Sequence, residues 1–264
     1  MMKLAVSTFF MTLTIGALAP QLIFSDDFGA GGPNAWMQAV AWSSEASEGD
    51  ARGPEAIWLI DDFEDGILFD EWIDDGGTCN SFITNSPTPP EGIRSLDIFG
   101  SCGSHRQGLS FDLQGFQAGS ISFYVRSDRT DSRTTYLELD DDVLGNNGGV
   151  AFFYGTDFGT FTVVDHTGLA YSCGPRNANQ WYQIRINIDW DFHELSVYVD
   201  NELKASGVPF PVNITTLNWL YLYSLGNGHS LYDFIVASSA PPTVMIFSDG
   251  FESGDMSAWS SSVP

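Results

Sequence analysis

The chain predicts an all-β fold of two packed antiparallel sheets, because its apolar residues alternate with a period of two, no helical stripe interrupts them, and turn residues recur at short intervals. In Ser120 to Arg126, Ile121, Phe123 and Val125 alternate with Ser122, Tyr124 and Arg126. Trp181 to Asp189 sets Tyr182, Ile184, Ile186 and Ile188 against Gln183, Arg185 and Asn187, and Leu195, Val197 and Val199 continue the rule. Successive strand side chains point to opposite faces, so each segment has one face to bury. The DWDFHE stretch turns the last two into a hairpin, and Asp200, Asn201 and Glu202 make the next turn. Further strands are expected over Ser95 to Phe99, Gly108 to Leu113, Thr135 to Asp140, Val150 to Tyr154, Thr160 to Val164, Leu217 to Ser224 and Leu231 to Ala237. About a dozen short strands with such turns read as a β-sandwich.

Outside that body the chain changes character. Met1, Met2 and Lys3 precede an apolar run from Leu4 to Leu18 with Ala17 and Ala19 at its end, the plan of a secretory signal over residues 1–19, although Pro20 sits awkwardly at the junction. The run is shorter than a membrane span requires, so no insertion is expected once the signal is removed. A segment then recurs near both ends: Ile23 to Trp36 and Ile246 to Trp259 agree at eight of fourteen positions, and Leu59 to Trp72 is a looser copy. Each copy offers an apolar start, aspartates, a phenylalanine, a glycine and a tryptophan. The Ser, Gly and Glu-rich stretch from Gln38 to Glu55 and the Pro-bearing Ser238 to Thr243 read as linkers. The expected organisation is therefore repeat and linker over 20–57, sandwich over 58–237, and linker with the last repeat over 238–264, the tails being flexible.

The net charge of −24, with only 10 Lys and Arg in 264 residues, excludes nucleic acid and anionic membrane surfaces as partners. It leaves either a solvated acidic surface or carboxylates gathered for a hard cation. In an oxidising compartment three cysteines predict one disulfide and one leftover thiol, with Cys79 to Cys102 the first choice. His105, His166, His193 and His229 are scattered singly and predict no zinc site.

Five stretches resemble the concanavalin A-like lectin and glucanase superfamily in its laminin-G-like and bacterial carbohydrate-binding versions. They are IDDFEDG to Trp72, EGIRSLDI from Glu91, SISFYVRS from Ser120, the long hairpin from Asn179 to Glu202, and SLYDFIVAS from Ser230. The resemblance implies an antiparallel jelly-roll β-sandwich, one face of which holds glycans, often with a structural Ca²⁺ where first and last strands meet. Its metal positions fall on Glu64 and Asp233, with Asp62 third.

Two further sets of residues are candidates for chemistry. Leu217, Trp219, Tyr221 and Tyr223 project from one face of a strand while Leu220 and Leu222 project from the other. If the leucines are the core set, the aromatics form a platform for sugar rings, which Tyr124, Tyr198, Arg185 and Asn187 would extend. Glu138, Asp140 and Asp142 share a face in the manner of the glucanase carboxylates, but the final Glu of that pattern is missing and Gly145 to Gly149 follow, so an acidic loop edge is the plainer reading. The expected function is a secreted carbohydrate- or extracellular-ligand-binding module without catalysis, its partner a glycan or extracellular matrix component. A glycoside hydrolase or polysaccharide lyase on the same fold, or an adhesive surface protein, are the alternatives.

Overall fold

In a computed structural model of the protein, the residues described are 57–141 and 149–239. The signal-like segment, the first and last copies of the repeat, most of both linkers and Asp142 lie outside them. Fifteen strands and no helix make up the described chain.

Two sheets, antiparallel throughout, form the sandwich. One is eight-stranded and runs β13 (Glu202–Pro209), β12 (Glu194–Val199), β11 (Trp181–Asp189), β6 (Ser120–Ser127), β15 (His229–Ser238), β4 (Ser95–Phe99) and β3 (Asn80–Thr84), with β1 (Ile57–Asp61) also paired to β15. The other is seven-stranded and runs β10 (Ala170–Pro175), β9 (Thr160–Val164), β8 (Ala151–Gly155), β7 (Thr134–Asp140), β14 (Leu217–Tyr223), β5 (Leu109–Phe116) and β2 (Ile73–Asp74). The strands expected from alternation are all present, and β1, β2, β3, β10 and β13 are additions. β2, β3, β10 and β13 lie at the ends of the strand orders and β1 pairs with β15 off that path, so little alternation is demanded of their side chains.

The inward faces are those that the period of two marks. Ile121, Phe123 and Val125 of β6 and Ile184 and Ile186 of β11 are buried against Leu137 and Leu139 of β7 and Leu220 and Leu222 of β14 in one core. Tyr232 of β15 reaches across that core, its hydroxyl 2.8 Å from the Tyr136 carbonyl and 3.2 Å from that of Tyr223, and so ties β15 to β7 and β14. Cys79 and Cys102 form the disulfide, and Cys173 is free and buried.

The middle copy of the repeat closes the turn after β1. Asp61 accepts the Phe63 backbone N–H at 2.6 Å on one oxygen and the Trp72 indole N–H at 2.7 Å on the other. Phe63, held at φ +61°, stacks on Trp72 with centroids 6.3 Å apart, and both rings are buried. Burial pushes the Asp61 carboxyl up to about 7 against the pull of those two hydrogen bonds. The aspartate, phenylalanine and tryptophan of the motif are thus a structural clasp.

Candidate functional site

On β14 the leucines are the core set, since Leu220 and Leu222 are fully buried. Trp219, Tyr221 and Tyr223 therefore project from the outer face of the seven-stranded sheet. Trp219 and Tyr221 are half-buried neighbours, their centroids 6.3 Å apart and their planes tilted by 32°. Tyr223 differs from its companions: it is fully buried, stacked at 4.7 Å on Tyr136, which stacks at 4.6 Å on Tyr154 of β8. This tyrosine ladder withdraws the Tyr223 ring from any ligand and leaves its hydroxyl as the useful part.

Register places acids beside these aromatics. Trp219 lies opposite Asp140 and Tyr221 opposite Glu138 on β7. β7 is buried on both faces, so Glu138 and Asp140 are not the acidic loop edge that their sequence context suggests. Carboxylates out of water need partners, and the loop between β4 and β5 brings one. Cys102 anchors that loop through its disulfide and through its N–H, 2.7 Å from the Ser224 carbonyl. Gly108, at φ +147°, lets the loop rejoin β5 where a Cβ would stand 2.5 Å from the Leu222 carbonyl oxygen. Arg106, at φ +60°, then directs its guanidinium onto both acids: Nε donates to Glu138 Oε1 at 2.7 Å, and Nη2 lies 2.7 Å from that same oxygen and 2.6 Å from Asp140 Oδ2. The contact to Asp140 is a charge contact without the alignment of a hydrogen bond. The guanidinium carbon also lies 5.4 Å from the Tyr221 ring centroid.

The neighbouring His105 completes the group. Its Nδ1 is 2.9 Å from the Tyr223 hydroxyl, which in turn donates to Glu138 Oε2 at 2.9 Å. The imidazole packs against Phe152 at 5.2 Å and Tyr136 at 5.8 Å. Burial lowers its proton affinity below the ordinary histidine value; Glu138 opposes that shift, and Arg106 and Arg133 add to it. Burial, and then the Glu138 charge, push the Tyr223 hydroxyl far up, so that it keeps its proton.

The other predicted residues lie elsewhere. Tyr124, Tyr198 and Arg185 belong to β6, β12 and β11 of the eight-stranded sheet, so they do not extend the Trp219 platform. Alternation assigned them correctly to outer faces, but sheet membership is decided by long-range pairing. Arg185 instead lies over Tyr198, 4.2 Å from its centroid, and the Tyr124 hydroxyl reaches Glu91 at 3.5 Å.

Of the predicted cation ligands, Glu64 and Asp233 are brought to the same loop, 91–94, and Asp62 is not. Glu64 Oε1 accepts the N–H groups of Ile93 at 2.8 Å and Arg94 at 2.7 Å, while Arg94 Nη1 donates to the Glu64 carbonyl. Asp233 is fully buried; Oδ2 accepts the Glu91 N–H at 3.2 Å, and Oδ1 has no hydrogen-bond partner. Burial, with smaller contributions from Glu64 and Glu91, pushes the Asp233 carboxyl up to about 7. Asp62 caps its own turn, accepting the Glu64 N–H at 3.1 Å. Among the described residues no group of three or more His, Cys, Asp or Glu is arranged to hold a metal ion.

Sequence reasoning missed His105, Arg106, Tyr136 and Tyr154. A lone His-Arg pair in a loop has no periodicity to mark it, and only the disulfide geometry brings it over β7.

The chain matches no family model and no curated protein. Its strands run similarly to those of several solved structures. The Trypanosoma rangeli sialidase is 12% identical, with 66% of this chain and 30% of that one covered at a TM-score of 0.47. The cellulose induced protein Cip1 is 12% identical, with 69% and 96% covered at 0.48, and the Crh5 transglycosylase is 12% identical, with 71% and 85% covered at 0.45. This chain spans less than a third of the sialidase's length.

Proposed function

We propose that the protein is an exported glycan-binding module whose ligand lies on the outer face of the seven-stranded sheet. The observation that supports this reading is the Trp219 and Tyr221 pair, half-exposed beside the half-buried Arg106 and the buried Glu138 and Asp140. Aromatic faces cover the apolar faces of sugar rings, and fixed charged groups at the same level satisfy ring hydroxyls. A rigid antiparallel sheet holds both without ordering a loop on binding, which keeps the entropic cost low. The signal-like N-terminus and the disulfide support the export part of this reading.

A structural Ca²⁺ is part of the proposal. Asp233 and Glu64 would hold it beside Glu91, because Asp233 Oδ1 is buried without a hydrogen-bond partner and the charges of Glu64 and Glu91 act on the same carboxyl. Asp62 is left out, since its carboxylate serves its own turn.

Binding of the full chain to a panel of neutral, amino-bearing and anionic polysaccharides tests the glycan site. Trp219→Ala is expected to weaken the bound member at least about tenfold, or about 1.4 kcal/mol. Equal binding by wild type and variant refutes it.

A further inference from the structure

We propose that this face is catalytic as well as binding, with His105 Nε2 as the general base that removes acyl esters from a neutral glycan lying against Trp219 and Tyr221. The inference rests on the glycan-binding reading above and extends it to a reaction.

A carboxylate can only accept, so the 2.9 Å contact between Tyr223 and Glu138 Oε2 uses the tyrosine proton. The tyrosine oxygen must then accept from His105, and Nδ1, 2.9 Å away, carries the imidazole proton. Nε2 is left with its lone pair and makes no hydrogen bond among the described residues. Arg106 holds Glu138 from the far side, so the order Arg106, Glu138, Tyr223, His105 fixes one tautomer and one ring orientation. The titratable and charged groups around the ring are Tyr223, Tyr136, Glu138, Arg106 and Arg133; burial, aided by the two arginines and opposed by Glu138, lowers its proton affinity below the ordinary histidine value. When Nε2 takes a proton, the imidazolium is linked through one hydroxyl to the Glu138 carboxylate, which offsets the new charge.

The surroundings choose among reactions. Glycosidic hydrolysis needs a protonated carboxylic acid at the leaving oxygen, and both carboxylates here are paired with Arg106. β-Elimination needs a uronate, whose carboxylate would meet buried Glu138 and Asp140 in a protein of charge −24. Acyl transfer to water needs one base, which also returns the proton, and suits an uncharged substrate. No serine, threonine or cysteine side chain bonds His105 among the described residues, so water is the nucleophile. In the first step a water O–H bond breaks, its proton passes to Nε2, its oxygen bonds to the acyl carbon, and the carbonyl π pair moves onto oxygen. Arg106 and Arg133 are the cations whose charges act on His105, and they are the groups this proposal assigns to offset that oxyanion. In the second step the bond between acyl carbon and sugar oxygen breaks as that oxygen takes the proton from Nε2. The products are a sugar hydroxyl and a carboxylic acid, which loses its proton to solvent.

The full chain is incubated with O-acetylated xylan oligomers at pH 7, acetate release is followed, and binding of the deacetylated oligomers is measured in parallel. Wild type is expected to release acetate, and His105→Ala to lose at least about 100-fold in rate while still binding the deacetylated oligomers. Tyr223 is a positioning residue: Tyr223→Phe keeps the ring stack, and is expected to cost about tenfold and to move the acid limb of the pH profile to lower pH, because the link to Glu138 is gone. Trp219-dependent binding without acetate release, or release unchanged in His105→Ala, overturns the catalytic assignment and leaves the binding face standing. Binding that is indifferent to Trp219→Ala overturns the binding face itself.

Discussion

Replacing Arg106 by methionine removes the guanidinium while keeping an apolar stem over Tyr221, and its cost follows from what stays behind. The side chains of Glu138 and Asp140 are 5% and 0% exposed, and that of Arg106 is 15% exposed. Breaking a buried ion pair by deleting one partner costs about 3–5 kcal/mol, because an uncompensated charge remains. Here two carboxylates share one cation, although Tyr223 still donates to Glu138 and the Asp141 N–H to Asp140 at 2.8 Å. We therefore expect a loss of about 3 kcal/mol at pH 7, a large part of the roughly 5–15 kcal/mol that stabilises a domain. Urea unfolding followed by tryptophan fluorescence measures it. A triple variant, Arg106→Met with Glu138→Gln and Asp140→Asn, should recover at least half of it, since no charge is then buried alone. A cost below about 1 kcal/mol for Arg106→Met, or a triple variant no better than the single, would refute the view that Arg106 is the electrostatic keystone of this face.

Asp61→Ala leaves the buried Trp72 indole and the Phe63 N–H without their acceptor and should cost about 2–4 kcal/mol by the same unfolding measurement. An effect within about 0.5 kcal/mol would remove the clasp from the account of the repeat. For Asp233, a folded-state value raised to about 7 means that the native protein holds a proton the unfolded chain has released. Stability from this group is present below the ordinary carboxylate value and is lost, at about 1.4 kcal/mol per pH unit, as pH rises towards 7. In EDTA at pH 8, Asp233→Asn should therefore be more stable than wild type, and added Ca²⁺ should raise the Tm of wild type alone. A Tm of wild type indifferent to both EDTA and Ca²⁺ would dispose of the cation site.

Alternation in Ile121 to Val125, Tyr182 to Ile188 and Leu195 to Val199 determined by itself that these segments are strands and which face of each is buried, because strand side chains alternate locally. It also marked Trp219, Tyr221 and Tyr223 as sharing a face. It could not say which face of β14 looks outward, since both carry large apolar residues; packing of Leu220 and Leu222 against the opposite sheet decided that. Nor could it distribute outward-facing residues between two sheets. Tyr124, Tyr198 and Arg185 are legible as exposed, yet strand pairing over long separations put them on the far side of the sandwich. The charged group was the least legible part. Glu138 and Asp140 read as the edge of a glycine-rich loop until a disulfide-anchored loop from β4 to β5 laid Arg106 across them and His105 against Tyr223. Strands and their faces are local properties of the chain, whereas this site is assembled from residues far apart in sequence, and only the folded arrangement brings its charges together.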